Sequence, residues 1–410
     1  MLRINRVTAF AVRAELEGGY WGSHVWKGED SPRLYSWDWN DGLIFPPSWR
    51  MRNSYAPTLD AVLVRIEDSE GRVGWGEAKA PVGAEATVAI VERLLADIIE
   101  GQSPLDRDRL WEQMYGSMRL RGHQTGFLLE AMSGVDLALW DLDGKLLGRP
   151  VYELLGGRFR ERIPTYASGI PALTSHEDRE RQRVADLARS FVRDGYRATK
   201  VGLRGDCVLD VATLEVLRDA VGKQLTIFVD AGGTYDLAGA KALLPHLVRN
   251  DVAIFEAPLP PEQVDGYRNL RRVSSVAIAS DLIVQRYQAL EYFRAEAIDL
   301  VQPDVCRSGG ISECVRIGHL ADAFGVAMAP HLSIGTPIQR AASAHLAVNL
   351  PNLRTCEQPL YFNTLDAIAA SADLMEKPGW FAPGSQPGLG VEVNESKVRA
   401  LARMAASHAG

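Results

Sequence analysis

Seven residues capable of chemistry recur along the second half of the chain at intervals of 23 to 30 positions: Lys200, Asp230, Glu256, Asp281, Asp304, His331 and Glu357. Short apolar runs lead into nearly all of them, as in TIFVD to Asp230, VAIFE to Glu256 and VAIASD to Asp281. One acid after a strand is most often a helix cap or a solvated turn residue. Regular recurrence points instead to a shared site. Asp230, Glu256 and Asp281 fall on three consecutive strand candidates, so their carboxylates should converge, and carboxylates held together repel unless a proton or a cation intervenes. A set of oxygen ligands without thiolate or imidazole favours a hard ion, Mg2+ or Mn2+, over zinc. Asp304 and His331 end the next two strands. A carboxylate beside an imidazole fixes its tautomer and leaves the outer nitrogen to carry protons. Glu357 could hold an oxygen that gains charge in a reaction, or be a salt-bridged acid of the rim.

Positioning these residues requires a repeating scaffold. The strand candidates end at Ala167, Lys200, Asp230, Glu256, Asp281, Asp304, His331 and Glu357, with helical segments of about 10 to 15 residues between them. Eight βα units close a (β/α)8 TIM barrel, whose C-terminal rim gathers catalytic residues from several strands. A doubly wound open sheet is the alternative, but no GxGxxG opens a helix after any of these strands. The first 127 residues read differently, as an α+β unit. An alternating segment, Ile4 to Val12, precedes a hairpin of Ala61 to Glu67 and Arg72 to Trp75, and apolar periodicity predicts helices over Ala86 to Glu100 and Leu128 to Leu147. The second helix is expected to open the next domain. Between strand and hairpin runs an aperiodic stretch with five of the nine tryptophans, Trp21, Trp26, Trp37, Trp39 and Trp49, read as a lid rather than as a loop packed on its own domain.

The 410 residues, 46% hydrophobic and 24% charged, have the composition of a globular protein with room for two domains. A net charge of -7 and the absence of a basic run argue against a nucleic-acid partner. Four cysteines form no CxxC pair, which suits a reducing cytosol and not a cysteine-built zinc site. No run of about 18 uncharged apolar residues marks a membrane span, and the N-terminal residues lack a signal-type apolar core. A cytoplasmic location is expected.

Residues 135–157 (VDLALWDLDGKLLGRPVYELLGG), 302–310 (QPDVCRSGG) and 329–332 (APHL), in that order, resemble the mandelate racemase-like subgroup of the enolase superfamily across nearly the whole chain. The resemblance implies a modified (β/α)8 barrel under an N-terminal α+β capping domain. It divides the chain into a cap (1–127), a barrel (128–360) and a C-terminal segment (361–410) returning to the cap. It also implies Mg2+-assisted removal of the proton α to a carboxylate. Residue by residue, Asp230, Glu256 and Asp281 resemble the metal ligands, Asp304 and His331 the dyad, and Glu357 the acid that bonds the enediolate.

The second barrel strand departs from the family pattern. Where Lys-x-Lys is common, this chain reads GYRATKVG over 195–202. The gap-free register gives Lys200 the first lysine position and puts Gly202 at the second, which usually supplies the opposing base. The other register makes Lys200 that second lysine. Asp230-Ala-Gly232 also lacks the Asp-x-His of some sugar-acid dehydratases. Racemisation needs bases on both faces, whereas elimination can proceed with one residue acting as base and then acid. The expectation is therefore dehydration of a sugar acid to a 2-keto-3-deoxy acid, with His331 as base, Asp304 behind it, and Lys200 and Glu357 on the enediolate. The stretch 256–270 and the long first loop are most similar to L-rhamnonate dehydratase-like members. From the cap, His24, Arg52 and Tyr55 are expected to reach distal hydroxyls or the carboxylate of the substrate. The alternatives are a racemase or epimerase using Lys200 and His331, and a non-catalytic binding barrel. A zinc amidohydrolase barrel is disfavoured because the first strand, IPTYA, offers no HxH. The family also implies a homo-oligomer.

Overall fold

The computed structural model describes residues 2–15, 58–333, 335–360, 365–371 and 374–407. Its largest unit is a ring of eight parallel strands: β4 (Ile163–Ile170), β5 (Ala198–Gly202), β6 (Thr226–Asp230), β7 (Val252–Glu256), β8 (Ala277–Ser280), β9 (Leu300–Val301), β10 (Ala327–Met328) and β11 (Cys356–Pro359). Neighbours pair in sequence order from β4 to β10, and β11 closes onto β4 with Glu357 opposite Tyr166. The last gap is spanned by a single parallel bridge, Met328 to Leu353. Each of the first seven strands leads into a helix, beginning with Asp178–Asp194 and ending with Pro337–Asn349. After β11 the described chain turns to the C-terminal segment instead, so the barrel is (β/α)7β. Alternation along the strands sends Tyr166, Phe228, Ile254, Ala279, Leu300 and Ala329 inward to fill the barrel. The opposite faces pack on the helices.

The N-terminal unit is a three-stranded antiparallel sheet, β1 (Ile4–Glu15), β2 (Thr58–Asp68) and β3 (Val73–Ala78). Helix Phe127–Leu147 lies directly across it. Gly74 and Gly76 on β3 permit this approach, since a Cβ at either would fall 2.1 Å from the Ala138 carbonyl oxygen and 2.0 Å from that of Gly134. The helix that follows the expected division at 127/128 packs into the core of the cap sheet. Its opposite side also meets the barrel helix Gly310–Ala323, where Asp136 accepts from the Ser312 amide (3.0 Å) and hydroxyl (2.6 Å). A helix buried on nearly every side carries no periodic cue to which neighbour it belongs with.

The C-terminal segment contacts both units. A hairpin, Met375–Lys377 with Trp380–Ala382, adds to the entry of β4 through Trp380 and Phe381. The final helix, Glu395–Ser407, reaches the cap, where Arg65 Nε donates to Glu395 Oε2 at 3.2 Å. Among the described residues no helix is long and apolar enough to cross a membrane.

Candidate active site

Strand ends carry the polar cluster. Asp230 and Glu256 are the last residues of β6 and β7, Asp281 follows β8, and Asp304 and His331 sit three residues beyond the two-residue strands β9 and β10. Glu357 lies within β11 and Lys200 within β5. Register places Lys200 opposite Phe228, and Gly202 opposite Asp230, so the level of Asp230 has no side chain on the second barrel strand. Lys200 thus reaches up from below. Its Nζ stands 3.0 Å from Glu357, 3.1 Å from Glu256 and 3.4 Å from Asp230, beneath which lies the Tyr166 ring.

Electrostatics divide these acids. Burial and the neighbouring carboxylates push Asp230 and Glu256 above the usual carboxylate range, although Lys200 pulls the other way. Burial also acts on Asp281, but Arg307 and His331 outweigh it and hold its carboxyl low. Glu357 is likewise held low by Lys200 and His331 against its burial. For Lys200 itself, burial opposes the charge, yet Glu256, Glu357 and Asp230 win and the ammonium stays well above its ordinary value.

His331 Nδ1 lies 2.9 Å from Asp304 Oδ2. Its Nε2 points into the cluster, 3.7 Å from Glu357 and 3.8 Å from Asp281. Asp304 is fully buried and strongly held as the anion, because Lys79, His331 and Arg307 overcome its burial.

Among the described residues, Glu256, Asp281 and His331 form a group whose donor atoms lie within 4.8 Å of one another. Asp230 was expected in such a set and His331 was not. Asp230 instead flanks the group across the shared Lys200 ammonium. The donor chemistry fits a divalent ion: three carboxylates on adjacent strands, Glu256 and Asp281 buried and Asp230 partly so, with Asp230 and Glu256 pushed up by burial and by neighbouring carboxylates.

Several neighbours escaped the spacing argument. Gln302 Nε2 donates to Glu256 (2.8 Å) and Arg307 to Asp281 (3.1 Å); both fall inside QPDVCRSGG. Gln339 donates to both Asp304 oxygens (2.9 and 3.1 Å), and Lys79 of the cap donates to Asp304 Oδ2 (3.0 Å). Nothing in local pattern flags these two. His24, Arg52 and Tyr55 lie outside the described residues.

Comparison with known proteins follows the same lines. Residues 48–156 match the mandelate racemase / muconate lactonizing enzyme N-terminal domain, and residues 183–397 the enolase C-terminal domain-like family. The chain is 33% identical over 345 residues to a D-galactarolactone cycloisomerase of Agrobacterium fabrum, covering 81% of this chain and 89% of that protein. It is 33% identical over 363 residues to a D-galactonate dehydratase of Verminephrobacter eiseniae, covering 86% and 91%. A member of the enolase superfamily from Agrobacterium tumefaciens superposes with a TM-score of 0.84 at 26% identity, over 98% of this chain and 99% of that one.

Proposed function

The chain belongs to the mandelate racemase-like group of the enolase superfamily, an enzyme family whose members typically use Mg2+, and from that premise we propose that it dehydrates a sugar acid of the aldonate type. Carrying this reading is an imidazole, His331, the one brought to the carboxylate cluster among the described residues, aimed by Asp304, with Gly202 on the second barrel strand opposite Asp230.

Asp230, Glu256 and Asp281 would hold Mg2+, which supplies positive charge to a bound carboxylate and so acidifies its α carbon. His331 Nε2 takes the α proton, while Asp304 holds the Nδ1 tautomer and stabilises the imidazolium. Lys200 stays charged among its acids and serves as an electrostatic partner to the enediolate oxygens, beside Glu357. His331 then returns the proton to the departing 3-hydroxyl, and the enol product tautomerises to a 2-keto-3-deoxy acid. Base and acid are the same group, so both events occur on one face. His24, Arg52 and Tyr55 would recognise distal hydroxyls, and the chain would work as a homo-oligomer.

A racemase would need a second acid–base group on the face opposite His331, and at the level of Asp230 the second barrel strand carries Gly202. One relative is named a D-galactarolactone cycloisomerase, so sugar lactones belong in the test beside free acids. Mg2+-loaded protein is incubated with a library of aldonates, aldarates and their lactones in D2O, with 2-keto acid formation read by semicarbazide absorbance and α-deuteration by mass spectrometry. Turnover to a 2-keto acid is expected. Deuterium exchange into both stereoisomers without loss of water would replace this reading with the racemase.

A further inference from the structure

We infer that Lys79, carried by the cap, is a positioning residue of the Asp304–His331 pair, fixing from outside the barrel both the carboxylate and the loop that aim the imidazole. The inference rests on the proposed function only for the purpose of that aim.

Lys79 follows β3, the strand pressed against helix Phe127–Leu147 through Gly74 and Gly76. Its main chain is tied to the barrel: the Lys79 amide donates to the Cys306 carbonyl at 2.9 Å, two residues past Asp304. Its ammonium is mostly buried and donates to Asp304 Oδ2 at 3.0 Å. The same ammonium donates to Ser333 Oγ, two residues past His331. One cation therefore grips both segments that meet at the dyad. Glu77, two residues earlier and on the same side of the strand, accepts from the Thr336 amide at 3.1 Å and the Gln339 amide at 3.1 Å. Gln339 in turn holds Asp304.

Asp304 offers about four acceptor sites in all. Cys306 N and Gln339 engage Oδ1, while Lys79, Gln339 and His331 crowd Oδ2. Every lone pair is used, so the carboxylate has one orientation available. Deleting Lys79 removes the ammonium donor from the oxygen that holds His331 and releases Ser333 at the same time. The barrel supplies the base, and the cap fixes its direction.

The test uses the full-length, Mg2+-loaded enzyme with whichever acid the library identifies. Lys79→Met is expected to lower kcat at least about 10-fold, the scale of groups that orient a ligand or base, with KM and the Mg2+ dissociation constant within about 3-fold. Lys79→Arg should recover part of that loss. In an Asp304→Asn background, Lys79→Met should cause little further loss, because the two act through one group. Losses that multiply, or an unchanged kcat, would overturn the inference, as would a fall in kcat accompanied by equal losses in KM and melting temperature. A second arm needs no substrate: backbone amide exchange across residues 329–333 should accelerate in Lys79→Met, and an unaltered rate would also overturn it. If the wild-type enzyme turns over no acid, the proposed function fails, and the exchange arm still decides the role of Lys79.

Discussion

The two flanks of the site treat their carboxylates in opposite ways. On β6 and β7, Asp230 and Glu256 are short of donors: among the described residues, Asp230 accepts from Gly232 N and faces Lys200, and Glu256 has Lys200 and Gln302. Beyond β9, Asp304 is saturated by Lys79, Gln339, His331 and the Cys306 amide. Glu256 and Asp304 are buried and Asp230 partly so, yet the first pair is pushed above the usual range and Asp304 is held far below it. A buried anion lacking donors is costly unless a cation arrives. Asp304 already has its cation, Lys79, among its donors. The difference separates a flank built to receive a metal from one built to hold a side chain still.

The sharpest way to break that division is to ask on which side His331 falls, since it shares a compact group with Glu256 and Asp281. His331→Asn should reduce turnover on the order of 10³-fold or more, as loss of a general base that is also the returning acid, while leaving Mg2+ affinity within about 3-fold by calorimetric titration. Matching losses of turnover and metal affinity would place the imidazole among the metal ligands instead. Glu256→Gln should do the reverse, weakening Mg2+ by at least about 100-fold, more than loss of an outer contact costs. Wild-type protein at 100 times its dissociation constant for Mg2+ should gain about 2.7 kcal/mol, and the variant should lose most of that increment. Without metal, Glu256→Gln should melt no lower than the wild type, because it removes a repelling charge. A large loss of metal-free stability would mean that Glu256 is chiefly a structural acid.

The donor-poor flank was legible in the sequence, and much of the saturated one was not. Apolar runs end at Asp230 and Glu256, so strand period and helix length alone place those carboxylates on one rim. Even Asp304 and His331 could be placed, although β9 and β10 are only two residues long, because the βα spacing persists through the short strands. Lys79 and Gln339 could not. Lys79 meets Asp304 across 225 positions and through a domain contact, and Gln339 stands on the buried side of a helix among apolar residues. Periodicity tells which face of an element is covered, not what covers it. The same limit applies at the expected boundary at residue 127: helix Phe127–Leu147 is covered on nearly every side, by the cap sheet and the barrel together.

Glu77 supplies the subtlest probe, because it is rich in donors like Asp304 yet shifts in the opposite direction. It is buried and accepts from Thr336 N and Oγ1, at 3.1 and 2.6 Å, and from Gln339 N. Burial nevertheless pushes its carboxyl up to about 7, the donors opposing only in part. No side-chain cation pairs with it in the described structure, because Lys79 is committed to Asp304. Hydrogen bonds alone thus leave Glu77 elevated, whereas Asp304 has Lys79 as well as its donors and is held low. The sign follows from linkage: an unfolded Glu77 ionises near 4.5 and a folded one near 7, so between those values the folded state holds the extra proton. Its contribution to stability is greatest below about pH 4.5, declines as pH rises, and levels off above about 7. Glu77→Gln should remove up to one proton's worth of slope, about 1.4 kcal/mol per pH unit, from urea-unfolding stabilities measured at pH 5, 6, 7 and 8. Parallel pH profiles for variant and wild type would show that the donors, without any cation, suffice to keep Glu77 ionised, and the contrast with Asp304 would then no longer depend on Lys79.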